Sequence, residues 1–171
     1  MIEEKIVVSD SNIFFDLLSV DLLKEFFSLP CEIATTDFVI DEIKQIEQKN
    51  AVNGFIKSKH LDVVNFEAEE LFEISDLYNE SDNNVSMPDC SVWYYAKRVD
   101  GRLLTGDAKL RKSAIEDNVK VSGILYIFDN LVEYGIITSK EATNKLSALL
   151  ITNPRLPKEE CEKRIINWKN R

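Results

Sequence analysis

Short apolar runs alternate along most of this chain with longer segments of helical period. Ile6-Val7-Val8 is a run of consecutive β-branched residues, which predicts a short buried strand. Ser9-Asp10-Ser11-Asn12 follows with helix-capping chemistry and leads into an apolar helical segment, Ile13–Phe27, that ends near Pro30. Glu32–Thr35 reads as a second strand, and Thr36 or Asp37 opens a helix running to about Lys49. A further helical stretch, Ala51–Lys59, precedes a strand at Leu61–Asn65 and a charged helix at Glu67–Tyr78. The polar run Asn79–Ser86 is the clearest loop. Beyond it the pattern predicts a helix from Met87 to Val99, a turn at Asp100-Gly101, a strand at Arg102–Thr105 and a helix started by Gly106-Asp107. Lys120-Val121 is a brief final strand. Helices at Ile124–Tyr134, Lys140–Ile151 and Lys158–Lys169 follow, separated by Gly135 and Asn153-Pro154.

Strands alternating with helices imply an α/β fold, a parallel sheet covered on both faces. Sheets of that kind place their sites beyond the carboxyl ends of the strands. At 171 residues, 44% hydrophobic and 30% charged, the chain has the composition of an ordinary globular protein. No apolar run approaches the roughly 20 residues that span a bilayer, and the acidic start MIEEKIVVSD is unlike a secretory signal. Cys31, Cys90 and Cys161 are odd in number and lack metal-ligand spacing, as expected of reduced thiols in the cytoplasm.

The net charge of −9 runs against a nucleic-acid partner until its distribution is considered. Between Leu61 and Ala96 there is no Lys or Arg, and the nine acids of that stretch carry the whole excess. From Asn153 onward six basic residues face three Glu. Positive charge also gathers at Lys97, Arg98 and Arg102, and again at Lys109, Arg111 and Lys112. Each cluster alone is explained as a solvated helix face; together they leave room for a polyanion on one side of the molecule.

Four acids stand at the edges of apolar segments: Asp10, Glu42, Asp89 and Asp107. Each has a purely structural reading. Asp10 follows the first strand as an ordinary N-cap, and Asn12 is either a second cap or a partner fixing the Asp10 rotamer. In the predicted helix Asp37–Lys49, Glu42 shares the stripe of Phe38, Val39, Ile43 and Ile46, where a carboxylate is costly unless paired or metal-bound; otherwise it reaches solvent from the stripe's edge. Ser86-Met87-Pro88-Asp89 is an S-x-x-D capping box, yet Asp89 also heads the face carrying Val92, Trp93, Ala96 and Val99. Asp107 follows a strand across a glycine and either caps the next helix or joins a site, with Thr105 as a hydrogen-bond donor or a plain strand residue. None of these structural readings requires all four acids to lie along one sheet edge. Carboxylates that converge repel, and are stable at neutral pH only with a cation or shared protons. That pattern implies a Mg²⁺ or Mn²⁺ site acting on a phosphodiester. His60 is the only histidine, so His-centred triads and His-rich zinc sites are excluded, and no glycine-rich phosphate loop occurs.

The segments IVVSDSNIFFDLL, TTDFVIDEI, MPDCSVWYYAK and RLLTGDAKL, in this order, resemble the PIN-domain ribonucleases, most closely the bacterial VapC-type toxins. The resemblance covers about Lys5 to Tyr126. It implies a three-layer α/β/α sandwich with strand order 3-2-1-4-5. It further implies that Asp10, Glu42, Asp89 and Asp107 are the catalytic acids, the metal held mainly by Asp10, Asp89 and Asp107, with Asn12 and Thr105 in support. A metal-dependent endoribonuclease that pairs as a homodimer and is restrained by a cognate antitoxin is the implied function. Residues 1–135 are then the catalytic domain, and 136–171 a helical extension packed on it. Two other readings stand beside this one: a PIN-like scaffold that binds RNA or protein without cutting, and a haloacid-dehalogenase-like phosphatase. The last wants Asp-x-Asp, and position 12 is Asn.

Overall fold

The computed structural model describes residues 2, 4–81 and 84–170. Its elements in chain order are β1 (Ile6–Ser9), α1 (Ser11–Ser19), α2 (Leu23–Phe26), β2 (Glu32–Thr36), α3 (Asp37–Glu42), α4 (Ile46–Lys57), β3 (Asp62–Val64) and α5 (Ala68–Glu80). They continue with α6 (Met87–Arg98), β4 (Arg102–Leu104), α7 (Ala108–Glu116), β5 (Lys120–Ser122), α8 (Ile124–Glu133), α9 (Ser139–Thr152) and α10 (Lys158–Lys169). The five strands form one parallel sheet in the order β3-β2-β1-β4-β5. Helices cover both sides, which is the three-layer α/β/α arrangement expected. Val7 and Val8 point to opposite faces of β1 and are 1% and 0% exposed, as a strand covered on both sides requires.

On one face α6 packs across β1, β2 and β4, with α5 and α7 beside it. On the other, α4, α1, α2, α8 and α9 form a contiguous group, and α10 packs on α9. Phe14, Phe26 and Phe128 are fully buried, each burial contributing about 1.5–3 kcal/mol. Trp168 of α10 stacks on Phe128, and Arg164 forms an ion pair with Asp129. Lys145 of α9 donates to the carbonyls of Val20 and Asp21. Among the described residues no helix is long and apolar enough to cross a membrane.

Two expected helices are broken. The segment read as one helix over Ile13–Phe27 is α1 and α2, separated where Asp21 takes φ +53°. Asp tolerates the left-handed region, and Leu22 N–H closes onto the Leu17 carbonyl to end α1. The helix expected to run from Asp37 to Lys49 stops at Glu42, because Ile43 turns to an extended backbone while its side chain is buried at 1% exposure. Helix α4 then restarts at Ile46, which is 68% exposed rather than part of a buried stripe. Ile115 of α7 is also exposed. Helix α5 extends through Glu80 into the expected loop Asn79–Ser86; within that loop Asp82 and Asn83 lie outside the described residues.

At the amino edge of the sheet Glu4 is nearly inaccessible and ties three strands together. Arg102 of β4 donates to both of its carboxylate oxygens, at 2.9 and 2.7 Å. Lys120 of β5 lies 3.4 Å from Oε1, and the Arg102 guanidinium stacks 4.7 Å over the Tyr126 ring. The Arg102 hydrogen bonds hold the Glu4 carboxyl down at about 2 against the penalty of burial. A folded-state pKa below the unfolded 4.5 means this stabilisation is present above about 4.5 and is lost as pH falls toward 2. Glu4→Gln is therefore expected to lower the unfolding free energy by roughly 2–4 kcal/mol at pH 7. In urea titrations the deficit should shrink steadily below pH 4.5, and a deficit independent of pH would contradict the assignment.

Candidate functional site

The strand order reverses between β1 and β4, so the chain leaves their carboxyl ends in opposite directions and opens a crevice there. Asp10 is the first residue beyond β1, its N–H still donating to Leu104 O of β4 at 3.0 Å. It caps α1 through Oδ1, which accepts from Ser11 N at 2.7 Å. Oδ2 accepts from Thr105 Oγ1 at 2.8 Å and from Asn12 Nδ2. Asn12 in turn accepts from Gly106 N at 2.8 Å, which stitches the end of β1 to the end of β4. A methyl group on Gly106 would sit 3.2 Å from Asn12 Oδ1, so a bare backbone suits this approach.

Asp10 is 2% exposed. Burial pushes its carboxyl up to about 7, opposed by the Thr105 and Ser11 hydrogen bonds and reinforced by the negative charges of Asp89 and Glu42. Asp89 heads α6 inside the predicted capping box: Ser86 N donates to its Oδ2 at 2.7 Å, while its own N–H donates to Ser86 Oγ at 3.2 Å. Glu42 ends α3, with Ser11 Oγ donating to its Oε2 at 3.3 Å. Partial burial and the Asp89 charge both raise the Glu42 carboxyl. The structure thus draws Asp10, Glu42 and Asp89 into one electrostatic field. Glu42 arrives by a different route from the one its spacing implied, because it is an exposed residue at a helix end and not a member of a buried stripe.

Asp107 joins through the backbone. Its N–H donates to Thr105 Oγ1 at 3.0 Å, while its Oδ1 caps α7 by accepting from Lys109 N and Leu110 N. Thr105, fully buried, therefore links Asp10 to Asp107 with one hydroxyl. Cys90, next to Asp89, is fully buried with its thiol pushed up to about 12 by burial, as suits a packing residue. One supporting contact, between Ser91 and Thr36, had no signal in the sequence. Ser91 and Thr36 share a 2.7 Å hydrogen bond in the core, fastening α6 to the start of α3 and so Asp89 to Glu42. Only the fully buried position of Ser91 within an apolar helix face marks it.

The donor set suits a hard divalent cation: oxygens only, mutually repelling, with one carboxyl buried among other acids. Among the described residues no group of three or more His, Cys, Asp or Glu side chains is gathered closely enough to hold a metal ion. Asp89 and Asp107 each commit one oxygen to a helix cap, which leaves the other available.

A family model described as a PIN domain matches residues 6–170. No curated protein matches the sequence. Among solved structures, PAE2754 from Pyrobaculum aerophilum superposes with a TM-score of 0.53 at 16% identity, covering 74% of this chain and 96% of that one. VapBC2 from Rickettsia felis, solved bound to a DNA fragment from their promoter, gives a TM-score of 0.48 at 17% identity over 69% of this chain and 98% of that one. FitAcB from Neisseria gonorrhoeae gives 0.44 at 13% identity over 67% and 95%. At these identities the first likeness speaks to the fold alone.

The raised Asp10 carboxyl has a measurable consequence. Its folded-state value of about 7 lies above the unfolded 3.8, so the native state binds the extra proton between them, and stability falls as pH rises through that window. In EDTA, urea titrations should show a loss of roughly 2–4 kcal/mol between pH 4 and 7. Asp10→Asn should flatten this slope; a slope unchanged in that variant would show that Asp10 is not its source.

Proposed function

Because the chain belongs to the PIN-domain family, we propose that it is a metal-dependent endoribonuclease, the toxin of a toxin–antitoxin pair. The observation that carries this reading is the buried Asp10 carboxyl, pushed up by its own burial and by Asp89 and Glu42 at the crevice between β1 and β4. Acids arranged only as helix caps have no reason to share one field. Asp10, Asp89 and Asp107 are the residues that would hold Mg²⁺ or Mn²⁺. When bound, such an ion supplies positive charge to the phosphate and to an attacking water.

The chain's own residues divide the remaining work. Thr105 and Asn12 fix the Asp10 rotamer by donating to its Oδ2. Glu42, exposed and with a raised carboxyl, would take a proton from the water as a general base. In-line hydrolysis of RNA leaves a 5′-phosphate and a 3′-hydroxyl, with no part for the 2′-hydroxyl. The four-segment resemblance to VapC-type toxins supports an antitoxin partner, a homodimer and a cytoplasmic setting. The same resemblance makes residues 1–135 the catalytic domain and 136–171 its helical extension.

One observation favours a second reading. The caps that hold Asp89 and Asp107 without a closed cage fit a PIN-like module that binds RNA and does not cut it. Incubation with structured RNAs in Mn²⁺ separates the two, since only the nuclease cleaves and only its cleavage is lost in EDTA. Asp89→Asn should reduce cleavage at least 100-fold. Its melting temperature should stay within a few degrees of the parent, because the Asn carbonyl still accepts from Ser86 N. Metal-dependent cleavage retained in this variant would remove Asp89 from the site.

A further inference from the structure

A cleft adjoins the acidic site and has no role in the mechanism above. It encloses about 760 Å³ between the ends of β1 and β4 and the segment joining α9 to α10. Asn12 and Asp107 border it on the side of the acids, and Thr152–Pro157 form the opposite wall. That wall is rigidly placed: Asn153 Nδ2 donates to both oxygens of Asp16, at 3.0 and 3.1 Å, and its Oδ1 accepts from Arg155 N.

Two guanidinium groups line this cleft, those of Arg111 and Arg155. Neither forms an ion pair with any carboxylate among the described residues. Among the described residues the Arg111 side chain makes one hydrogen bond, from Nη2 to Thr105 O at 3.0 Å, and its partial burial weakens its hold on its proton. Arg155 is exposed, and among the described residues its side chain has no hydrogen-bond or ion-pair partner. Elsewhere in this acidic chain Arg98, Arg102 and Arg164 are all paired with acids. A half-buried arginine without a counter-charge is costly unless an anion completes it. The acids of the cleft do not supply that charge: Asp16 is occupied by Asn153 and has a carboxyl raised by burial, and Asp107 caps α7. The remaining lining is apolar, with Phe15, Leu125 and Leu156 offering the kind of surface a nucleobase stacks on.

We propose that this cleft is the subsite for the RNA nucleotide next to the scissile phosphodiester, with its phosphate on Arg111 and Arg155 and its base against Phe15, Leu125 and Leu156. The inference rests on the nuclease reading for the identity of the strand. It assigns a recognition role to a wall built by the α9–α10 connection, outside the segments that carry the acids. The subsite also answers the chain's net acidity, since the strand is held by two local cations in place of a basic surface.

The test uses binding and cleavage together, on the full-length protein. Affinity for a fluorescein-labelled single-stranded oligoribonucleotide is read by anisotropy in EDTA across a range of salt. Arg155→Ala, at an exposed position, should weaken binding about 5- to 20-fold at low salt. It should also reduce the slope of log Kd against log salt by about 0.7, the value for one lost contact to a single-stranded phosphate. Arg111→Ala should do the same, and the double variant should lose about twice that slope. In Mn²⁺ the cleavage defect should fall on KM, with kcat within a few-fold of the parent. An affinity and salt slope unchanged in Arg155→Ala would overturn the subsite and leave the cleft to some other occupant, such as a protein segment. A protein that binds RNA through these arginines without ever cutting it keeps the subsite and sinks the nuclease. A nuclease whose KM ignores both arginines does the reverse.

Discussion

A carboxylate sealed at the junction of β1 and β4 is the constraint around which this molecule is organised. Asp10 is held by Ser11 N, Thr105 and Asn12, and each of those bonds also joins two elements. The parallel sheet supplies the crevice, the start of α1 supplies two donors, Ser11 N and Asn12, and the segment just beyond β4 supplies the third, Thr105. Burial makes the position unfavourable for an anion, negative charge from Asp89 and Glu42 adds to it, and the carboxyl stands near 7. A fold that stored such repulsion for no purpose would gain stability by losing any one of these acids. Retaining all of them at one sheet edge is what a cation-binding reading explains and a set of helix caps does not.

The two ends of the sheet contrast in their electrostatics. At the amino edge Glu4 is surrounded by Arg102 and Lys120, so its charge is welcome and the carboxyl is held low. At the carboxyl edge the acids face one another and the Asp10 carboxyl is held high. Burial raises both carboxyls; at Asp10 it is the dominant cause, and at Glu4 the Arg102 hydrogen bonds overcome it. The first arrangement stabilises the order of β1, β4 and β5. The second keeps the crevice poised for an incoming positive charge.

Much of this was legible in the sequence because strands and acids announce their own order. Ile6-Val7-Val8 followed by Asp10, and Leu103-Leu104 followed by Asp107, fix both acids beyond strand ends, and a parallel sheet carries those ends to one edge. The S-x-x-D box likewise placed Asp89 at the head of α6. Glu42 was a different matter. The helix expected to continue to Lys49 has good helix formers at Lys44, Gln45 and Gln48, and local propensity gives no reason to stop. Burial of Ile43 in the core turns the chain there, leaving Ile46 in solvent and Glu42 at a helix end beside Ser11. The Thr36–Ser91 bond was hidden for the same reason, since it joins distant parts of the chain, whereas the break at Asp21 is a local left-handed residue that helical periodicity does not mark.

The account turns on whether the crevice takes a divalent cation. Calorimetric titration of the purified protein with MnCl₂ and MgCl₂ at pH 7 reads this without any assumption about substrate. The account predicts saturable heat for the parent protein, lost in Asp10→Asn and in Asp89→Asn while both variants stay folded. No heat with either metal, or a binding curve that neither substitution alters, would contradict it.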